Sequence, residues 1–181
     1  MEALMKRATT WSGIGLLMLT ILYLIFPQKI LLSLVLTFLV TFYQLGMRLV
    51  VGNVIEPRLK LDQDCRWFRV TAGEQRLYRL LKVRKWKSFL PTYSPEKYDL
   101  RRRSLPQLIQ TMIAAEFDHE LMFILTYLPL ILIVPFGDPA IFISTSVIVS
   151  LIELPFIILQ RYNRARLQRL LRRRERRQRM K

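Results

Sequence analysis

Four apolar runs constrain this chain more than any other feature: residues 11–26, 30–47, 121–136 and 140–159. The first three carry no charge, and the fourth carries one, Glu153. Each approaches the roughly 17–25 residues that take a helix through hydrocarbon. Lipid offers no partner for backbone N–H and C=O groups, so such runs close their hydrogen bonds within helices. The composition is 52% hydrophobic, yet the net charge is +16. The two properties coexist because they are segregated along the chain. The sequence therefore predicts an all-α integral membrane protein with four transmembrane helices. A basic amphipathic cytoplasmic segment separates the second helix from the third.

The expected spans are about residues 10–27, 30–50, 119–136 and 139–160 of a single membrane domain, 1–181. Lys6 and Arg7 before the first run resemble a signal peptide, but no small-residue cleavage site follows, so the run reads as a retained span. Pro27, Gln28 and Lys29 turn the chain back into the second span. Gly137, Asp138 and Pro139 do the same between the third and fourth. Four spans place both termini and the segment 56–118 on one side. That side holds nearly all the Lys and Arg, so the positive-inside rule makes it cytoplasmic, in a multi-pass protein of the cell membrane.

Within the basic segment, Arg76 to Lys82 reads as a short amphipathic helix, and Trp67, Phe68, Trp86 and Phe89 are interleaved with basic residues. That mixture suits anionic lipid headgroups. It could also meet RNA, but no RRM, KH or zinc-finger pattern accompanies it, so nucleic acid is the weaker partner. The tail, residues 161–181, has eleven basic residues and one acid. Its Leu167, Leu170 and Leu171 form an apolar stripe expected to lie on the membrane surface.

Chemistry concentrates where the third run begins. Ser104 is a candidate N-cap with Pro106 in the first turn, and the helix so started reaches Glu116, Asp118, His119 and Glu120. Glu116 and Glu120 lie one turn apart, with His119 beside them. An imidazole among carboxylates suits proton transfer, because the acids raise its basicity and orient its tautomer. The alternative is a set of polar residues ending a span. Glu153 lies seven residues before Gln160, about 10 Å along a helix axis. An intramembrane carboxylate is a functional candidate, or a neutral Glu bonded to a neighbouring helix. Pro129 and Pro155 fall within spans, where they free carbonyls and bend helices. The single Cys65, with no CxxC, HExxH or glycine-rich phosphate loop, points to no metal and no cofactor.

Three passages carry a family resemblance. One is Val83-Arg84-Lys85-Trp86-Lys87 followed by Leu90-Pro91; another is the acidic helix leading into Leu128-Pro129. The most specific is Pro155 followed by Gln160-Arg161-Tyr162-Asn163-Arg164 and then Arg166-Leu167. Over roughly residues 67–172 the chain resembles the glycosyl-4,4'-diaponeurosporenoate acyltransferases, small membrane enzymes of staphyloxanthin-type carotenoid synthesis. The resemblance implies transfer of a fatty acyl group, from acyl-CoA or a lipid donor, to a hydroxyl of a membrane-embedded glycolipid or glycosylated carotenoid. Glu120 matches an acid of the family motif. Ala115 and Phe123 stand where the family shows Glu and His, and Glu153 replaces an Asn. His119 with Glu116 then supplies a displaced version of the same chemistry.

On that reading the catalytic candidates are His119 as base, with Glu116, Glu120 and Glu153. Arg84, Lys85, Trp86 and Lys87, with Arg161, Tyr162, Asn163 and Arg164, would hold the phosphates of the donor. The implied partners are anionic membrane lipids, the acyl donor and the glycolipid acceptor, with a homo-oligomer left open. The competing reading is a non-catalytic adaptor that binds anionic lipid through its basic face. A transporter is weaker, since four spans would have to dimerise to enclose a path.

Overall fold

A computed structural model describes residues 2–59, 61–62, 65–90, 95–99 and 101–180. Pro91, part of the first family motif, lies outside the described residues. Of the described residues 86% are helical, and none lies in a strand. Among the described residues, four helices are long and apolar enough to cross a membrane. The chain, expected as a single domain, divides into two compact units: Met1–Arg58 with Leu121–Glu153, and Leu59–Glu120 with Leu154–Lys181.

In the first unit, α1 (Glu2–Ile25) and α2 (Lys29–Val50) form the expected hairpin. Gly13 and Gly15 let it close. A Cβ at Gly13 would sit 2.9 Å from the Phe42 ring, and one at Gly15 would meet Phe38 more closely still. Small residues serve this purpose where helices pack without a hydrophobic drive between them. α2 continues as a π turn, Val51–Ile55, and a 3-10 turn, Glu56–Arg58. Leu36, Val40 and Phe142 form one core cluster of this unit; Met47, Val51 and Met122 form the other. Outward-facing side chains are also apolar: Leu24 is 75% exposed, Ile30 74% and Val134 89%. Such a surface suits hydrocarbon rather than water.

The third apolar run is not one continuous α-helix. α5 (Leu105–Leu125) ends there, a 3-10 turn covers Leu128–Leu132, and α6 is Ile133–Phe136. Pro129 has no N–H to give the Leu125 carbonyl, and the changed winding releases Thr126 as well. Side chains replace the lost donors. The Tyr43 hydroxyl donates to Leu125 O at 2.8 Å, while Gln44 Nε2 and Ser146 Oγ donate to Thr126 O at 3.2 and 2.9 Å. At the following turn Gly137 and Asp138 take positive φ, and Asp138 accepts a hydrogen bond from Ser33 Oγ at 2.9 Å. Pro155 behaves differently: α7 (Pro139–Arg179) runs through it as one helix.

The second unit holds the basic segment. Its α3 spans Ala72–Leu80, starting four residues earlier than the amphipathic pattern suggests. The cause is a capping box. Glu74 N donates to Thr71 Oγ1 at 3.3 Å, and the Glu74 carboxylate accepts from Thr71 N at 2.6 Å. Lys82, in the left-handed region at φ 50°, turns the chain into α4 (Val83–Trp86). Ser104 caps α5 as expected: its Oγ accepts from Gln107 N at 3.5 Å, and its own N–H donates to Gln107 Oε1 at 2.9 Å.

Phe68, Ile109 and Ile113 form the core of this unit, with Leu61, Phe117, Leu167 and Leu171 packed against them. Of the leucines in the expected stripe of the tail, Leu167 and Leu171 are partly buried against this core, because the tail prolongs α7 alongside α5, and Leu170 is exposed.

Candidate functional site

The acids of α5 and the arginines of α7 are brought together in the second unit. Arg164 is fully buried and grips fully buried Glu116 with both arms of its fork: Nε to Oε2 at 2.8 Å and Nη2 to Oε1 at 3.0 Å. Its third nitrogen, Nη1, donates to the Phe68 carbonyl, and the guanidinium lies 5.5 Å from the Phe68 ring centre. A planar fork matches a carboxylate bidentately, which lets so polar a pair lie away from water.

One turn earlier on α7, Arg161 is shared among three carboxylates. Its Nε lies 3.1 Å from Glu116 and 3.3 Å from Glu74, and Nη1 lies 3.6 Å from Glu120. Nη2 donates to Trp67 O. The Trp67 indole in turn donates to Glu120 Oε2 at 2.6 Å. Glu74, the acid of the α3 capping box, thereby ties α3 into the same cluster. His119 stacks on Phe156, centroids 4.9 Å apart and planes 13° from parallel.

Catalytic and substrate-binding candidates from the sequence thus meet, but chiefly one another. Glu116 and Glu120 engage arginines and an indole. Arg164 is enclosed with a carboxylate in its fork and presents no open edge to a phosphate. Arg161 keeps 19% of its side chain exposed. Glu153 belongs to the first unit, where it is buried and pairs with Arg48. The remaining candidates are spread over the unit. Arg84 and Lys85 are exposed on α4, and the Trp86 indole donates to Leu81 O at 2.9 Å. Lys87 Nζ lies 5.8 Å over the Tyr162 ring, and Asn163 is half-buried on α7.

Tyr162 meets Tyr78 edge to face, 6.1 Å between centroids. Burial, reinforced by Glu74, pushes the Tyr78 phenol up to about 12, so it stays neutral. Burial, and then the charges of Arg166 and Arg84, hold Lys87 below the ordinary lysine range. Sequence reasoning missed three members of the cluster. Glu74 was accessible through its Thr-x-x-Glu capping pattern. The backbone carbonyls of Trp67 and Phe68 leave no mark in the residue pattern.

This cluster lies inside a stretch with a known counterpart. Residues 64–173, more than half of the chain, match the family model described as glycosyl-4,4'-diaponeurosporenoate acyltransferase. The chain belongs to that family. No curated protein and no solved structure matches it. The boundaries agree with the resemblance drawn from the sequence over roughly residues 67–172. The family match takes in Trp67, Glu74, Glu116, His119, Glu120, Arg161 and Arg164, and leaves α1 and α2 outside it. An acyltransferase of carotenoid biosynthesis is therefore the class of protein to which the site belongs.

Proposed function

We propose that this protein transfers a fatty acyl group to a sugar hydroxyl of a membrane-embedded glycolipid or glycosylated carotenoid, with acyl-CoA or an acyl lipid as donor. The observation that carries the reading is the position of His119, the only histidine, inside the family-matched stretch beside the Glu116–Arg164 clamp. His119 takes the proton of the acceptor hydroxyl as its oxygen attacks the acyl carbonyl carbon. The tetrahedral oxyanion forms in the positive potential of the basic unit. Its collapse breaks the bond to the donor's sulfur or oxygen, and His119 returns the proton to the leaving group. Glu116, Glu120 and Arg164 are positioning residues, which hold α5, α7 and the turn at Trp67 as one frame. We assign Glu153 to its pair with Arg48 rather than to the reaction.

The test is to incubate the purified full chain with glycosyl-4,4'-diaponeurosporenoate and either acyl-CoA or phospholipid, with mass spectrometry of the products. The expected result is a product heavier by one acyl group. Absence of product from every donor and glycolipid offered would overturn the reading. One observation favours the adaptor reading instead: the carboxylates are engaged by arginines, as in a purely structural clamp.

For orientation, the reading places both termini and the basic segment in the cytoplasm, in a multi-pass protein of the cell membrane. Cys65, the single cysteine and exposed, reports on this directly. A membrane-impermeant maleimide should label it only after cells are permeabilised. Labelling of intact cells would reverse the orientation.

A further inference from the structure

α7 has two opposite faces beyond Gln160. Arg164, Leu167 and Leu171 make the face that packs into the second unit. Tyr162, Arg166, Arg169 and Arg173 follow one another at four, three and four residues, which at 100° per residue puts them on the other face. They form one stripe about 16 Å long. Opposite the stripe, α3 contributes Gln75, Tyr78 and Arg79, and the two helices flank a half-open cavity of about 490 Å³. Four guanidinium groups and no carboxylate line it.

Three features show that this charge is concentrated rather than balanced. Like charges three and four residues apart on a helix repel, so the stripe costs α7 stability unless an anion meets it. The neighbouring acids Glu74, Glu116 and Glu120 are engaged by Arg161, and Glu116 by Arg164 as well. Lys87 adds a fifth cation against Tyr162. Arg169 also donates from Nε to Ala165 O at 3.2 Å, a bond that uses one of its five donors, and its side chain lines the cavity. Tyr78, Tyr162 and Leu170 give the cavity apolar wall between the charges.

We propose that this cavity binds a phosphate-bearing group of at least two negative charges. Arginine forks take phosphate oxygens in pairs, and spacing along three turns suits a diphosphate or two neighbouring phosphates better than one. That chemistry has two sources: the nucleotide end of a soluble acyl thioester, or the headgroups of anionic phospholipid. The site stands on its charge and shape. The acyl-transfer reading enters only in naming the thioester as one source.

The test uses the full chain in nanodiscs of phosphatidylcholine. Calorimetry measures binding of pyrophosphate and of adenosine 3',5'-bisphosphate. A second arm measures binding of the detergent-solubilised protein to phosphatidylcholine vesicles with and without phosphatidylglycerol. Two double variants carry equal charge change: Arg166→Gln with Arg173→Gln in the cavity, and Arg176→Gln with Arg177→Gln further along the tail. All four side chains are exposed, and circular dichroism confirms that each variant is folded.

The cavity pair should weaken binding of at least one probe by about tenfold or more, and the tail pair by much less. Loss confined to the soluble phosphates identifies the nucleotide source, and loss confined to phosphatidylglycerol identifies the lipid. Equal effects of the two pairs, or no binding of any probe, would overturn the site. Product formation is not read in this experiment, so its outcome is separate from that of the acylation assay.

Discussion

In the first unit buried Glu153 pairs with Arg48, whose side chain keeps 22% of its surface open; in the second, Glu116 and Arg164 hold each other with neither side chain exposed. The first pair lies at the end of α2 opposite the last apolar helix. There a long arginine can carry its charge toward water or headgroups while its stem stays apolar. The second has no such outlet, and its polar atoms are satisfied by a fork, a backbone carbonyl and a second arginine. The surroundings differ in the same sense. The first unit satisfies its released carbonyls with Tyr43, Gln44 and Ser146, all neutral donors. The second is organised by ions. A unit surfaced with apolar side chains keeps charge rare and paired, whereas one rich in arginine uses carboxylates to tie helices together.

The contrast makes graded predictions for stability, measured as thermal or denaturant unfolding of the purified protein. The largest loss belongs to Glu116→Ala, which leaves Arg164 buried without its partner and should cost about 3–5 kcal/mol. Glu153→Gln should cost less, about 1–3 kcal/mol, because Arg48 can turn to solvent or headgroups and glutamine still accepts a hydrogen bond. Equal losses would show that the outlet ascribed to Arg48 is not used. The smallest effect on stability belongs to His119→Gln, since glutamine keeps a polar side chain of similar volume and leaves the Glu116–Arg164 fork in place.

Those three residues also mark how far sequence reached. The four spans, the two short turns and the Ser104 cap were legible because each rests on local chemistry: apolar length, Pro and Gly, and a serine ahead of a helix. The break after Leu125 was half legible. Pro129 announced released carbonyls, but the donors Tyr43 and Ser146 sit far away in sequence, and no periodicity in one helix names its neighbour. At the site, sequence gathered the acids and the histidine because they share one helix face. It assigned Arg161 and Arg164 to a ligand because a basic, ordered motif suggests an anion. The anion they meet is in the protein itself, on α5 and α3. Spacing within α7 could not reveal that, although it does reveal the second stripe, in which Arg166, Arg169 and Arg173 have no carboxylate among the cavity's lining residues.

The division of labour between clamp and base is the central claim, and comparing His119→Gln with wild type tests it most directly. Both proteins are taken through the acylation assay and through thermal unfolding on the same preparation. The account predicts an unfolding midpoint close to wild type together with loss of product, because the substitution removes a base but little volume and leaves the Glu116–Arg164 fork in place. A His119→Gln protein that forms product at the wild-type rate would contradict it and leave the cluster as a structural clamp alone.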